Sequence, residues 1–193
     1  MPSPSARNSQ MLALVRCRGG RFTPLKRLAR DFPSCAAAHD AAREQICPVG
    51  CLGIGDCLGH CEQGAITITP TGVAVVDHEC CSGCGQCLAA CPREIIDLLS
   101  VRQRTNISCR STLPTAEREA LCPRGCTGCG RCLSVCPCHA VSIHESLAVI
   151  DQHRCDGCGL CAEWCPQHCI SFLSLGGFFA PTNPLGTRPV CPR

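Results

Sequence analysis

Tyrosine is absent from this 193-residue chain, tryptophan occurs once and phenylalanine five times. Large aromatic side chains supply much of the buried area in an ordinary small domain, so a conventional single-core enzyme domain is excluded. Lysine is as scarce: Lys26 stands alone beside seventeen arginines. Charged residues reach only 17% while apolar ones reach 45%, which excludes disordered, coiled-coil and collagen-like classes. Long apolar runs are missing as well. The longest near the start is Met11 to Val15, too short for the apolar core of a secretory signal. No stretch reaches the roughly 20 apolar residues of a membrane helix. The expectation is a cytoplasmic chain with no direct membrane span and with reduced thiols available to metal.

What the sequence has is cysteine: 24 residues, a density that turns attention to metal. Cys81, Cys84, Cys87 and Cys91-Pro92 follow the spacing C-x2-C-x2-C-x3-C-P. Cys126, Cys129, Cys132 and Cys136-Pro137 repeat it, as do Cys155, Cys158, Cys161 and Cys165-Pro166. This is the bacterial iron–sulfur run, whose fourth cysteine ligates the other cluster of a pair. Zinc sites pair C-x2-C units across longer spacers and do not take this form. The radical-type spacing Cys122-x3-Cys126-x2-Cys129 is a decoy, because its residues belong to a fuller motif. His139 and His168, at equal offsets after Cys136 and Cys165, read as exposed loop residues rather than Rieske-type ligands.

A fourth copy is degenerate. Aligning Cys51 to Cys57 with Cys126 to Cys132 puts Ile54 where Cys129 stands; Cys61 matches Cys136, but Glu62 replaces the proline. Upstream, Cys47-Pro-Val-Gly-Cys51 matches Cys122-Pro-Arg-Gly-Cys126. Cys47 is therefore expected to substitute for the missing ligand. The alternative is a [3Fe-4S] cluster on Cys51, Cys57 and Cys91, or an under-ligated, substrate-binding cluster near Ile54 in a redox enzyme subunit.

The fold class expected is α+β: two tandem bacterial-type ferredoxin modules with small hairpins and short helices. Residues 65–77 and 140–151 show matching β-branched runs around a turn. The modules span 47–100 and 122–175, joined by an Arg-rich linker, 101–121, with a short helix capped by Thr115. Residues 1–46 read as a helical segment, with a helix opening at Thr23-Pro24 and another capped by Ser34. Residues 176–193 read as an irregular tail. The crossing rule assigns about four [4Fe-4S] clusters: Cys47, Cys51, Cys57 and Cys91; Cys81, Cys84, Cys87 and Cys61; Cys126, Cys129, Cys132 and Cys165; and Cys155, Cys158, Cys161 and Cys136. Eight cysteines remain. Cys80 sits beside a ligand, but Asp77 stands four before Cys81 as Asp151 does before Cys155, which picks Cys81 over it. Cys138, Cys169 and Cys191 read as packing residues or free thiols, and Cys17, Cys35, Cys109 and Cys122 stand as extra or swapped ligands. Fully ligated clusters leave no open position for substrate, which favours electron transfer over catalysis.

The order VRCRGG, the Ala-rich segment at Cys35, CPVGCLGIGDC, GVAVVDHECCSGCGQCLAACP, ISCRST, CPRGCTGCGRC and CDGCGLCAEWCP resembles the ferredoxin-rich part of the Rnf complex B subunit over about residues 15–172. The resemblance implies a multicluster relay whose partners are redox proteins: a ferredoxin or flavodoxin-type carrier, a flavoprotein, or a membrane oxidoreductase complex on which the chain is peripheral. The formal charge of +3 takes a different sense here. Each oxidised cubane with four thiolates carries −2, so four clusters bring the chain to about −5. The arginines then compensate anionic clusters or dock an acidic carrier; nucleic acid is not an expected partner.

Overall fold

The structure, a computed structural model, describes residues 11–19, 30–41, 47–174 and 177–179. Its elements are short: β1 (Met11–Val15), α1 (Cys35–Ala38), α2 (Asp56–Gly59), β2 (Ile66–Ile68), β3 (Ala74–Val76), α3 (Gln86–Ala89), β4 (Ile96–Ser100), β5 (Thr105–Ile107), α4 (Thr115–Leu121), α5 (Arg131–Ser134), β6 (Val141–His144), β7 (Leu147–Ile150), α6 (Leu160–Glu163), β8 (Ile170–Ser174) and β9 (Gly177–Phe179). Each half repeats one plan. A cysteine loop leads into a four-residue helix, then a hairpin, then a second loop and helix, then a strand. The hairpins are β2–β3, pairing Ile66 with Val76, and β6–β7, pairing Val141 with Ile150.

Glycine starts all four cysteine helices. Gly55, Gly85, Gly130 and Gly159 take positive φ at the N-cap, a conformation that residues with a Cβ adopt only at a cost. At the other end of each unit the third residue after the fourth cysteine is left-handed: Gly64, Glu94, His139 and His168. In all four its N–H donates to the carbonyl of that cysteine, at 3.0, 3.0, 3.2 and 3.0 Å. His139 and His168 are thus turn residues, both exposed. Their shared offset has a backbone cause.

A strand from outside the motif closes each half. β1 runs antiparallel to β4, with Met11 opposite Ser100 and Val15 opposite Ile96. β5 runs antiparallel to β8, with Thr105 opposite Phe172 and Ile107 opposite Ile170. The correspondence extends past the strands, where Arg16 N–H donates to Ile95 O and Ser108 N–H to Cys169 O, both at 2.7 Å. Two cores result. One gathers Ala13, Ile66, Val76, Ile95 and Ile96; the other gathers Ile107, Val141, Ala148, Ala162 and Ile170.

Three sequence expectations change here. The helical reading of 1–46 fails at Met11–Val15, which is a strand with four consecutive buried residues. Its Met, Leu and Ala favour helix locally, but a five-residue apolar run is strand length, and pairing along β4 decides the matter. Ser34 does cap α1, its Oγ accepting from Ala37 N–H at 3.0 Å; the start at Thr23-Pro24 lies outside the described residues. Within the stretch 101–121, Thr105–Ile107 is the closing strand of the second half, and α4 takes Pro114 as its N-cap. Thr115 is instead the first helical residue, its hydroxyl donating to Thr127 O at 3.2 Å. In the stretch 176–193, Gly177–Phe179 pairs with β8 and is regular; residues 180–193 lie outside the described residues. Among the described residues no helix is long and apolar enough to cross a membrane.

Candidate iron–sulfur sites

In the second half the crossing arrangement is visible directly. Cys126, Cys129 and Cys132 from the first loop and Cys165 from the end of the second line one cavity of about 10 Å³, with Cys169 on its wall. The members of the reciprocal set also neighbour one another. Burial and then the neighbouring Cys132, Cys155, Cys136 and Cys158 push the Cys161 thiol up to about 12. Burial and then Cys126, Cys165 and Cys129 push Cys132 up to about 11. A cluster bound here would hold these sulfurs as thiolates, since metal binding requires deprotonated ligands.

Backbone and neighbouring donors tune the sulfurs. Ala148 N–H points at Cys126 Sγ and Ala140 N–H at Cys136 Sγ, at 3.4 and 3.3 Å. Cys169, which the sequence placed among packing residues, is fully buried with its Sγ 3.6 Å from that of Cys165. Its thiol donates to Cys126 and Cys165, holding both well below the ordinary range while its own value rises. The glycines of the loops permit close approach. A Cβ at Gly53 would lie 2.2 Å from Gly72 O, and one at Gly128 2.8 Å from the Ser146 backbone, so the loops seat against the hairpin turns only without a side chain.

In the first half, burial followed by the neighbouring Cys81, Cys61 and Cys84 raises Cys87 to about 11. The degenerate set departs from expectation. The cavity of about 20 Å³ lined by Cys51, Cys57 and Cys91 has Cys35, not Cys47, as its fourth thiol. Asp56, in the first turn of α2, binds the exposed N-terminus of α1: its carboxylate accepts from Cys35 N–H at 2.7 Å and Ala36 N–H at 3.2 Å. This brings the Cys35 sulfur to the backbone N–H groups of Asp56, Gly55 and Ile54. Ile54 itself packs with Phe32 and Cys35 around the buried Ala38 and Leu52. An apolar side chain stands at the position of the middle cysteine and seats the helix that brings Cys35 to this cavity.

Cys47 lies elsewhere. It lines a third cavity, of about 50 Å³, together with Cys17, Cys109 and Cys122. Sequence reasoning had all four of these as candidates but distributed them by local spacing. The pairing of Cys17 with Cys109, each two residues beyond a closing strand and each followed by Arg, was the available signal.

The donor sets fit iron–sulfur clusters. Cysteine thiols from separate segments converge on two of the motif cavities, and an all-thiol donor set of this kind suits an iron–sulfur cluster.

Comparison with known proteins agrees with this chemistry. Residues 74–97 and 148–171 match the family of 4Fe-4S binding domains. These are the second cysteine loop and helix of each half. The chain is 40% identical over 65 residues to the B subunit of the Na(+)-translocating ferredoxin:NAD(+) oxidoreductase complex of Acetobacterium woodii, covering 34% of this chain and 20% of that protein. It is 40% identical over 63 residues to the B subunit of the ion-translocating oxidoreductase complex of Methanosarcina acetivorans, covering 32% and 24%. It is 32% identical over 143 residues to the B subunit of the proton-translocating ferredoxin:NAD(+) oxidoreductase complex of Clostridium ljungdahlii, covering 73% and 50%. The chain thus spans half or less of the length of these relatives. It is an iron–sulfur protein whose cofactors are 4Fe-4S clusters, and its ferredoxin region is of the kind found in these B subunits.

Proposed function

We propose that this chain is a polyferredoxin that relays single electrons between a soluble low-potential carrier, of ferredoxin or flavodoxin type, and an oxidoreductase complex. One observation carries the reading: the two motif cavities each gather at least four thiols from separate segments, Cys126, Cys129, Cys132 and Cys165 with Cys169 in one and Cys35, Cys51, Cys57 and Cys91 in the other, and a cluster held by four of them has no donor position left for a substrate. A cluster held this way accepts and releases one electron with no bond made or broken in the protein. The chain's own residues set how easily this happens, through burial, N–H···S hydrogen bonds and the donated thiol of Cys169.

The ligand sets proposed are Cys35, Cys51, Cys57 and Cys91; Cys61, Cys81, Cys84 and Cys87; Cys126, Cys129, Cys132 and Cys165; and Cys136, Cys155, Cys158 and Cys161. Cys35 completes the set that lacks a cysteine at position 54, which argues against a [3Fe-4S] or substrate-binding cluster there. Arg16 is engaged internally, with Nε 2.7 Å from Asp97 Oδ2 and Nη1 2.7 Å from Ile107 O. That placement supports charge compensation over a nucleic-acid footprint. The partner complex would be a membrane-associated one, as for the relatives, with this chain at its periphery.

Anaerobic purification with iron and acid-labile sulfide analysis, followed by EPR of the dithionite-reduced protein, tests the reading. About four irons and four sulfides per set of four cysteines, with spin coupling between neighbouring clusters, are expected. Zinc without labile sulfide would remove it.

A further inference from the structure

The third cavity touches the degenerate motif at Cys51 but draws four further thiols from outside both motif cavities. Cys17 and Cys47 reach it from the first half, and Cys109 and Cys122 from the stretch leading into the second. The two contributions match. Each consists of a Cys-Arg step just past the closing strand, Cys17-Arg18 after β1 and Cys109-Arg110 after β5. Each adds the first cysteine of a Cys-Pro-x-Gly-Cys loop, Cys47 or Cys122. The same pair of sequence elements from each half therefore lines this one cavity.

The surroundings fit an anionic, sulfur-rich occupant. Cys17 Sγ accepts from the N–H groups of Gly19 and Cys51, both at 3.4 Å, the pattern found at the motif cysteines. The Cys122 thiol reaches across from the other stretch and donates to Gly19 O, at 3.4 Å. Cations face the same space. Arg18 and Arg124 both line it and repel one another, and burial with that repulsion lowers the Arg18 guanidinium from its ordinary value. Arg118, 1% exposed and also on the wall, keeps a buried Nε–H with no hydrogen-bond acceptor. At about 50 Å³ the cavity is roomier than the 10 and 20 Å³ of the two motif cavities. Any argument that those hold a cubane applies here with more space.

We propose that Cys17, Cys47, Cys109 and Cys122 hold a further [4Fe-4S] cluster at the junction of the two ferredoxin modules. This deepens the relay reading and rests on it. The position gives the cluster a purpose. Cys51, a ligand of the neighbouring set in the first half, donates its N–H to Cys17 Sγ, while Arg18 interacts with Cys17 on one side and with Cys165 and Cys169 of the second half on the other. The site lies between the two modules and joins them into one conductor. Without it, electrons would have to cross the junction through protein alone.

The test is metal stoichiometry on the full chain, purified or reconstituted anaerobically, with Cys109→Ser and Cys122→Ser as separate variants. Wild type should carry about twenty irons and as many labile sulfides, and each variant about sixteen. In both variants the EPR and Mössbauer contributions of the remaining clusters should persist. A wild-type count of about sixteen, unchanged in the variants, overturns the junction cluster and leaves the relay reading standing. One zinc per chain with about sixteen irons does the same. Absence of labile sulfide overturns both. If either serine variant fails to fold, the wild-type count decides alone.

Discussion

The two halves of this molecule have the same loops, hairpins and closing strands, yet they complete one of their thiol sets differently. In the second half Cys126, Cys129 and Cys132 come from a single loop, and only Cys165 arrives from a distance. In the first half the corresponding loop keeps Cys51 and Cys57, carries Ile54 between them, and receives Cys35 from a helix about twenty residues upstream. The difference teaches what the motif spacing is for. It is one economical way to place a sulfur over a row of backbone N–H groups. A helix N-terminus anchored by Asp56 does the same task, and the position left free becomes apolar packing.

The comparison would break most severely if the halves differed in their dependence on iron. Four-residue helices and strands of three to five residues are far below the lengths that are stable alone. Removing iron and sulfide should therefore abolish hydrogen-exchange protection in both hairpins, β2–β3 and β6–β7. Protection surviving in one half would show that its core, and not its clusters, holds it together.

Next in size are single ligand losses. Cys35→Ser and Cys129→Ser should each cost about four irons, or convert one cluster to a [3Fe-4S] form with its own EPR signal. Adding Ile54→Cys to Cys35→Ser should restore the count by returning the first half to the plan of the second. An iron content unaffected by Cys35→Ser but reduced by losing Cys51 would return the role to another residue.

Much of this was legible before the fold. Three full motifs, the crossing rule and the matching hairpins follow from spacing, because bond geometry around a cubane fixes local distances in the chain. The fourth thiol of the degenerate set was not, since Cys47 was the expected substitute and Cys35 stood only among possible swapped ligands, and the reason is physical. Cys47 is nearer in sequence to Cys51, but Gly50 N–H bonds to Cys47 O at 2.9 Å and turns that segment back on itself. Arg93, 7% exposed, then holds Cys47 O and Pro48 O. These contacts draw Cys47 to the junction cavity. Nothing local in Ser34-Cys35-Ala36-Ala37 announces a ligand, since its placement depends on Asp56, twenty-one residues later. The strand character of Met11–Val15 was hidden for the same reason: its partner is β4, more than eighty residues away.

Smaller effects should separate the halves further. Asp56→Ala removes the two acceptors at the N-terminus of α1, at a cost of about 1–2 kcal/mol. It should lower affinity for the last iron of the Cys35 set and leave the second half untouched. Equal iron loss from both halves on mild chelation would mean that Asp56 acts on the whole fold, not on this ligand.

The finest difference concerns how each closing strand is held. In the first half His78 Nε2 donates to Ala13 O on β1, at 2.9 Å; in the second, Gln152 Nε2 donates to Thr105 O on β5, at 3.0 Å. These positions correspond, each following the aspartate four before a cysteine loop. Burial lowers the His78 pKa from its ordinary 6.5, with Asp77 opposing only in part. The folded state therefore favours neutral imidazole. As pH falls through 6.5 the unfolded strand's histidine takes up a proton before the folded one does, so the stability of β1 docking declines with falling pH. Gln152 cannot titrate, and β5 should show no such decline. Exchange protection of Leu12 to Val15, corrected for intrinsic rates, should drop between pH 7.5 and about 5.5 while that of Thr105 to Ile107 stays level. His78→Gln should flatten the first profile, and Gln152→His should introduce the dependence into the second. Parallel decline of both strands in the wild type would assign the effect to acid loss of the clusters and sink the His78 argument.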